Sequence, residues 1–253
     1  RVVPRAALDL LAHPDPRVAM AAARAAVFLD PAVAAPELVG RLEDESLLSV
    51  EVATTLAVFG AQAGPQHLRQ LLARLVRTEA TPSELAVAAG SSLAIVGDGR
   101  DAPLLSEMVQ GEPGLLALLA WHGHPSFVAP LLARMDAIDS GTRTSATSAL
   151  ARIVLPADRL AHADEAEVRA AAARLAGSAA PRLRGGEAYR LEHSIDELAR
   201  PDSVASARRT SWLEASIAAR RPIPLDVDDW IGRQRRTLDG LLSKARSGKE
   251  PTR

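Results

Sequence analysis

The sequence predicts an all-α protein, an α-solenoid (α-α superhelix) of about five to six helical pairs that ends in a helical C-terminal cap. Of the 253 residues, 50 are Ala and 35 are Leu, whereas the β-branched and aromatic residues that favour strands are few and scattered. A short segment recurs at intervals of roughly 30 residues, the period of stacked helical pairs. Helix-start signals fall between the copies. With 47% hydrophobic residues, a protein of this length can bury an ample core.

The recurring segment is clearest in its first two copies, where Ala-Val-Phe begins at Ala26 and again at Ala57. Weaker copies follow, with spacings between 25 and 37 residues. The aligned alanines are Ala26, Ala57, Ala94, Ala120, Ala151 and Ala176. A second helix lies between them, because the ten residues from Pro65 match those from Pro125, 60 residues later. Each unit is therefore predicted to be two helices of about 12 to 15 residues.

Helix ends support the same architecture. Asp15 and Asp30 each precede a proline, which places an N-cap acceptor before the residue type that best tolerates the first helical position. Thr81 and Glu84 have the spacing of a capping box. Pro130 is predicted to lie inside a helix and to kink it.

At two places the sequence resembles the second helix of a HEAT repeat, in Asp15–Ala26 and again in Glu165–Ala176, where Val and Ala pairs follow an acidic start. The segment Leu93–Asp98 is similar to the end of that helix in the bacterial HEAT repeats named after phycobilisome lyases. The resemblance implies a right-handed solenoid over residues 1–180. It also implies that the second helix of each pair lines a concave face, so Arg17 and Arg24, seven residues apart, are candidate binding residues there.

The pattern breaks at Gly185-Gly186. We expect a helical C-terminal cap over residues 181–246, with helices near 187–198, 203–220 and 228–244, followed by a flexible tail over 247–253. The cap would cover the last apolar face of the array. Charge changes at the same boundary, from 15 basic and 20 acidic residues before residue 180 to 15 and 11 from there onward.

The composition excludes several classes of protein. Without cysteine there is no disulfide framework, thiolate metal site or cysteine nucleophile. No apolar stretch approaches the roughly 20 residues that span a bilayer. We therefore expect a cytoplasmic protein with no cofactor and no membrane partner. The sequence also lacks a nucleophile elbow and a phosphate-binding loop, so no catalytic residue is predicted.

The most conspicuous cluster is Trp121-His122-Gly123-His124, at a predicted turn between helices. Two imidazoles could ligate a metal, but zinc needs a third protein ligand and none is near in the sequence, so no metal site is predicted. The alternative favoured by the pattern is that Trp121 fills the core in the position of Phe28 and Phe59, while His124 starts the next helix. A third interpretation makes Trp121, His122 and His124 part of a ligand-binding surface.

The function favoured by these observations is a non-enzymatic scaffold or adaptor that presents a curved groove to a protein partner. One alternative is a nucleic-acid-binding or base-excision HEAT-like protein. The net charge of −5 before residue 180 argues against it, although there are two local basic clusters. They are Arg182, Arg184 and Arg190, and Arg208, Arg209, Arg220 and Arg221. The other is a bilin-lyase-like, chromophore-handling enzyme, which the repeat subtype suggests but no residue identifies. HEAT-type deoxyhypusine hydroxylase activity is excluded, because its His-Glu dipeptides are absent.

Overall fold

The computed structural model describes residues 5–42, 47–58, 64–79, 81–160, 162–175, 177–190 and 193. In these residues the regular secondary structure is helical except for one small hairpin, which confirms the all-α class. The α-helices are α1 Pro16–Ala26, α2 Pro31–Val39, α3 Leu47–Val58, α4 Gly64–Thr78, α5 Glu84–Val96, α6 Ala102–Met108, α7 Leu116–His122, α8 Val128–Arg134, α9 Ser140–Val154 and α10 Glu165–Leu175. The strands are β1 Leu183–Arg184 and β2 Glu187–Ala188. No helix in the described ranges is both long enough and apolar enough to cross a membrane.

Short 3₁₀ turns connect several of these helices. They are Arg5–Ala7, Asp9–Ala12, Gly99–Asp101, Pro113–Leu115, Pro125–Phe127 and Ala157–Arg159.

The described residues fall into two compact units, one formed by residues up to 67 with 190 and 193, and the other by residues 68–189. The predicted domain boundary at residue 180 stays a prediction, since most of the proposed cap lies outside the described residues.

The predicted Asp-Pro helix starts are confirmed. The carboxylate of Asp15 accepts a hydrogen bond from the Arg17 backbone N–H at 2.9 Å, and Asp30 accepts one from Ala32 at 2.9 Å. Each bond satisfies one of the amide groups that a helix leaves unpaired at its first turn. Proline is the first residue of both helices, where its missing N–H removes no intrahelical bond.

Two local predictions are wrong by a few residues. The N-cap of α5 is Ser83, whose hydroxyl accepts from the Ala86 N–H at 3.2 Å, and not Thr81. The Ser83 N–H in turn donates to the Glu79 carboxylate at 3.0 Å, so the acidic partner precedes the helix. Pro130 lies in the first turn of α8, where it displaces no intrahelical hydrogen bond and has no reason to kink the helix.

Alternate helices pack on one another within each unit, and the consecutive helices α9 and α10 do so as well. In the first unit α1 contacts α3, and in the second α5, α7, α9 and α10 form a sequential series of contacts. The aligned alanines lie near the C-terminal ends of these alternate helices, and Ala26, Ala57 and Ala94 are fully buried. Small side chains at these places let neighbouring helices approach closely. The last aligned alanine, Ala176, is outside the described residues.

The first predicted helix of the cap is wrong at its start, because Glu187 and Ala188 form strand β2 instead. β1 and β2 are antiparallel, with Leu183 opposite Ala188. Gly185 and Gly186 connect them with φ angles of 64° and 81°, a left-handed pair that makes a tight hairpin turn and that side chains disfavour. The predicted helices at 203–220 and 228–244 and the tail lie outside the described residues.

The hairpin covers the C-terminal ends of three helices. The Arg182 guanidinium donates to the carbonyl oxygens of Ile95 in α5, at 3.0 Å, and of His122 in α7, at 2.9 Å. The backbone N–H groups of Gly185 and Gly186 donate to the last-turn carbonyls of α9. Helix ends leave such carbonyls unpaired, so this short segment replaces the caps that three separate helices would otherwise need.

Candidate functional site

The segment from Trp121 to His124 ends α7 and starts the following 3₁₀ turn. Trp121 and His122 are the last two helical residues, and Gly123 caps the helix with φ 67°. The His124 ring accepts a hydrogen bond from the Ser126 backbone N–H. The prediction that His124 starts the next helical turn is confirmed.

His122 is completely buried. Its Nε2 lies 3.1 Å from the carbonyl oxygen of Asp98, and its ring meets that of Phe127 edge-on with centroids 5.5 Å apart. Burial away from water, reinforced by the nearby positive charge of Arg182, lowers the pKa of His122 to about 4. The imidazole is therefore neutral at physiological pH and donates its Nε2 proton to Asp98, while Nδ1 has no hydrogen-bond partner within the described residues.

The carboxylates beside this histidine are used in ion pairs. Asp101 is fully buried and is held by the Arg69 guanidinium through both oxygens. Asp98, on the same turn, pairs with Arg100 at 2.6 Å, and this hydrogen bond lowers the pKa of the Asp98 carboxyl to about 2. Within the described ranges, no three His, Asp or Glu side chains are grouped so that they could hold a metal ion.

The interpretation of Trp121 as a core residue is wrong. Its side chain is half-buried, Phe28 is 54% exposed, and Phe59 is outside the described residues. The Arg152 guanidinium lies over the indole ring, 3.7 Å from its centroid, and Arg184 lies 5.0 Å from the same centroid. Trp121 therefore contacts guanidinium groups, whereas the neighbouring His122 faces the protein interior.

The arrangement continues into the hairpin as a series of cation–π contacts. Arg184 is 5.8 Å and Arg182 is 4.5 Å from the ring centroid of Tyr189. Such contacts are favourable when the cation is partly removed from water. Arg182 and Arg184, which the sequence offered as part of a local basic cluster for nucleic acid, are therefore engaged inside the protein.

A cavity of about 410 Å³ opens beside the exposed edge of Trp121. Its walls come from the 3₁₀ turn before α7, from α7 itself, from α9 and from Leu160 after the next 3₁₀ turn, all within the second unit. The lining residues are Pro113, Gly114, Ala117, Ala120, Trp121, Thr144, Ser145, Ser148, Ala149, Ala151, Arg152 and Leu160. Small residues leave the space, and the hydroxyl, indole and guanidinium groups supply its polar surface. The volume lies within the range of pockets that bind small ligands or side-chain anchors.

Of the predicted site residues, only Trp121 lines this cavity. His122 is buried and His124 bonds the Ser126 hydroxyl at 2.7 Å. Arg17 and Arg24 are exposed on α1, in the other unit, and Arg24 forms a 2.9 Å ion pair with Glu51 of α3. Arg24 therefore links two alternate helices, while Arg17 stays a predicted contact.

Sequence reasoning missed Arg152 and the hydroxyl row formed by Thr144, Ser145 and Ser148. A signal was present, because residues 140–148 hold six Ser or Thr. Ser and Thr have neutral or unfavourable helix propensity, so their concentration in a long helix indicates a role other than helix formation.

Comparisons of the sequence with protein-family models, with curated proteins and with solved structures find no match. The resemblance to HEAT repeats therefore stays a prediction.

Proposed function

We propose that this protein is a non-enzymatic cytoplasmic adaptor that binds another protein on the surface of a HEAT-like α-solenoid. The observation that carries the proposal is the cavity between α7 and α9. The repeat pattern of the sequence predicts that these two helices are successive copies of one helix, with Ala120 and Ala151 at equivalent positions. In arrays of helical repeats, the helices at the same position of successive repeats line one common surface, and partners bind on that surface.

The chemistry of the cavity also favours binding of a side-chain anchor. Interface hot spots are buried side chains that fill pockets, and pockets of this kind combine an apolar floor with a few polar groups. Here Ala120 and Ala149 are buried in the floor, while Thr144 and Ser148 are exposed at the rim. A partner residue inserted between α7 and α9 would be surrounded on several sides.

The test begins by finding the partner at this position. A photo-crosslinking amino acid replaces Thr144 in the full-length protein, and the control replaces Ala129, an exposed residue of α8 that does not line the cavity. The protein crosslinked only through position 144 is identified, purified and titrated into the full-length protein by calorimetry.

The affinity of variants then decides the proposal. Ala117→Leu partly fills the cavity from an exposed position, and Ala129→Leu adds the same side group elsewhere. We expect the first to weaken binding at least about tenfold and the second to leave it unchanged, because loss of a pocket contact costs more than about 1 kcal/mol. A purified partner that binds both variants equally, or no protein that binds the purified adaptor, would overturn the proposal.

The predicted face of α1 needs a separate variant. Arg24→Glu would place a carboxylate against Glu51 and disturb the packing of α1 on α3, so it confuses folding with binding. Arg17→Glu reverses an exposed charge that has no described ion pair. Loss of affinity in Arg17→Glu is the expected result, and unchanged affinity would remove α1 from the interface.

A further inference from the structure

Ile138 is the most exposed large apolar side chain among the described residues. It is 98% exposed, whereas Phe28 and Leu10 are 54% and 44% exposed. It lies in the loop between α8 and α9, two residues before α9 begins. Single apolar residues are common on protein surfaces, but this one leaves almost all of its apolar area in water. Another molecule that buries it therefore gains more than it would at Phe28 or Leu10.

The loop that carries Ile138 is held by side chains of three different residues. The Arg143 guanidinium of α9 donates to the carbonyl oxygen of Ile138, at 3.1 Å, and to that of the preceding residue, at 3.0 Å. The Asp136 carboxylate accepts from Arg169 of α10 at 2.7 Å. Asp139 is the N-cap of α9 and accepts from backbone N–H groups of its first turn. The loop thus presents Ile138 as a fixed anchor, which loses little conformational freedom on binding.

The cavity beside α9 has the size and surface that such an anchor needs. It begins at Thr144, one turn into the helix, and Pro113, Ala117 and Leu160 give it an apolar side. Its volume of about 410 Å³ is enough for a branched aliphatic side chain. Because Ile138 is almost fully exposed, it does not fill the cavity of its own chain. Each chain therefore carries both an apolar anchor and a cavity that can receive the anchor of another copy.

The surface between the anchor and the cavity allows two copies to approach closely. Gly141, Thr144 and Ser148 are exposed, and their spacing of three and four residues places them on one face of α9. None of the three is charged, so two copies of this face can meet without repulsion between like charges. A Cβ at Gly141 would meet only the Asp139 carboxylate within 4 Å, so the backbone there is open to a neighbour.

We propose that two copies of this chain form a symmetric dimer in which Ile138 of each copy fills the cavity between α7 and α9 of the other. In a two-fold interface a contact from one copy is repeated by the second, so one arrangement buries both anchors. An arrangement that uses one anchor per pair leaves the other exposed and continues as a filament. The dimer does not depend on the adaptor function, although a dimer and a protein partner would compete for the same cavity.

Sedimentation of the full-length protein between about 1 µM and 0.5 mM measures the dimer directly. We expect a reversible equilibrium between monomer and dimer. Ile138→Asp alters a side chain that is 98% exposed, so it should fold as wild type does and weaken dimerisation at least about a hundredfold, because each dimer loses two anchors. Phe28→Ser is the matched control, which removes an exposed apolar side chain of the other unit and should dimerise as wild type does.

Variants of the cavity test the other half of the contact. Ala117→Leu partly fills the cavity and should also weaken dimerisation, whereas Ala129→Leu, outside the cavity, should not. Mixing the Ile138→Asp and Ala117→Leu proteins then tests whether the two sites contact each other. Each homodimer lacks both contacts, but the mixed dimer keeps one, with the anchor of the second protein in the open cavity of the first. Native mass spectrometry distinguishes the three dimers by mass, and we expect the mixed dimer to exceed either homodimer.

Three results would overturn the dimer. They are a monomer at every concentration, a dimer that Ile138→Asp or Ala117→Leu leaves unchanged, and a mixture with no excess of the mixed dimer. These results are independent of the adaptor proposal. A monomer that binds a purified protein partner through the cavity rejects the dimer and supports the adaptor, whereas a dimer for which no other protein partner is found supports the dimer and rejects the adaptor.

Discussion

The ends of α1 and α7 occupy equivalent positions of the predicted repeat but differ in what covers them. Aligning Ala26 with Ala120 pairs Phe28 with His122, so His122 and not Trp121 takes the position of Phe28. The apolar ring of Phe28 is 54% exposed, whereas the polar ring of His122 is fully buried. Leu183 lies over the end of α7 and donates its N–H to the Gly123 carbonyl. Burial at the end of a repeat helix therefore depends on the segment that covers it more than on the residue found there.

The two units also differ in how exposed their ion pairs are. Arg69 and Asp101 form a pair in which the carboxylate is fully buried and the arginine is 29% exposed. Arg24 and Glu51 form a pair in which the arginine is 59% exposed and the carboxylate 10% exposed. Both carboxylates are thus buried, but water screens the Arg24 guanidinium more than that of Arg69, so the Arg69 pair should contribute more to stability.

The largest expected effect comes from breaking the buried pair. Arg69→Gln leaves the Asp101 carboxylate buried without its cation, and we expect it to lower the free energy of unfolding by about 3 to 5 kcal/mol. Arg24→Gln should cost less, about 1 to 2 kcal/mol, because water already screens its exposed guanidinium, although the Glu51 carboxylate left behind is only 10% exposed. Urea denaturation followed by circular dichroism measures both. Equal losses in the two variants would contradict the distinction between a buried and a screened pair.

The second largest effect tests whether the hairpin packs against the C-terminal end of α7. Gly123 has φ 67°, and a Cβ there would collide with the backbone carbonyl of Leu183. Gly123→Ala should lower the free energy of unfolding by about 3 to 4 kcal/mol, since left-handed strain adds to displacement of the hairpin. The matched control is Gly111→Ala, where φ is 81° and no atom lies within 4 Å, so that only the strain of about 1 kcal/mol remains. Similar losses in both would mean that the hairpin does not press on α7.

Burial of His122 predicts a dependence of stability on pH. Its pKa is about 4 in the folded protein, below the ordinary value of 6.5, so the folded state disfavours the protonated ring. Stability is complete above pH 6.5 and falls by about 3 kcal/mol as the pH decreases to about 4. The lowered pKa of Asp98 acts mainly below its ordinary value of 3.8, so it contributes little within this window.

The pH dependence is measured by urea denaturation at a series of pH values. His122→Gln retains a donor for the Asp98 carbonyl and removes the titration, so its stability should change less between pH 6.5 and 4 than that of the wild type. Phe127→Leu also disturbs the packing around His122 but should keep the wild-type pH dependence, because the imidazole is still present and buried. A wild-type slope in His122→Gln would place the titrating group elsewhere.

The contrast between Phe28 and His122 also marks the limit of prediction from the sequence. Helix starts at Asp15 and Asp30 and the alternation of helices were predictable, because caps and apolar spacing are local signals. The hairpin at Gly185-Gly186 was recognised only as an interruption. Its contacts include the bond from Arg182 to His122, which joins residues 60 positions apart, and no local pattern predicts such a bond.

The candidate site was predictable in part for the same reason. Trp121 was singled out by its residue type, but the prediction of its surroundings was wrong. The two arginines that contact its ring, Arg152 and Arg184, come from α9 and from the hairpin. The hydroxyl row on α9 carried a compositional signal, although nothing in the sequence indicated that it faces Trp121. Which residues meet in a cavity is decided by helix packing, and the repeat pattern fixes only which helices are neighbours.

The smallest expected effect is at Phe28, and it sharpens the comparison most. Phe28→Ser should change the free energy of unfolding by no more than about 0.5 kcal/mol, because more than half of the ring already faces solvent. Leu183→Ala, which uncovers the end of α7, should cost about 2 kcal/mol, since Leu183 is only 2% exposed. A large loss in Phe28→Ser, measured by the same urea denaturation, would mean that the ring supports the first unit and that both repeat ends are covered alike.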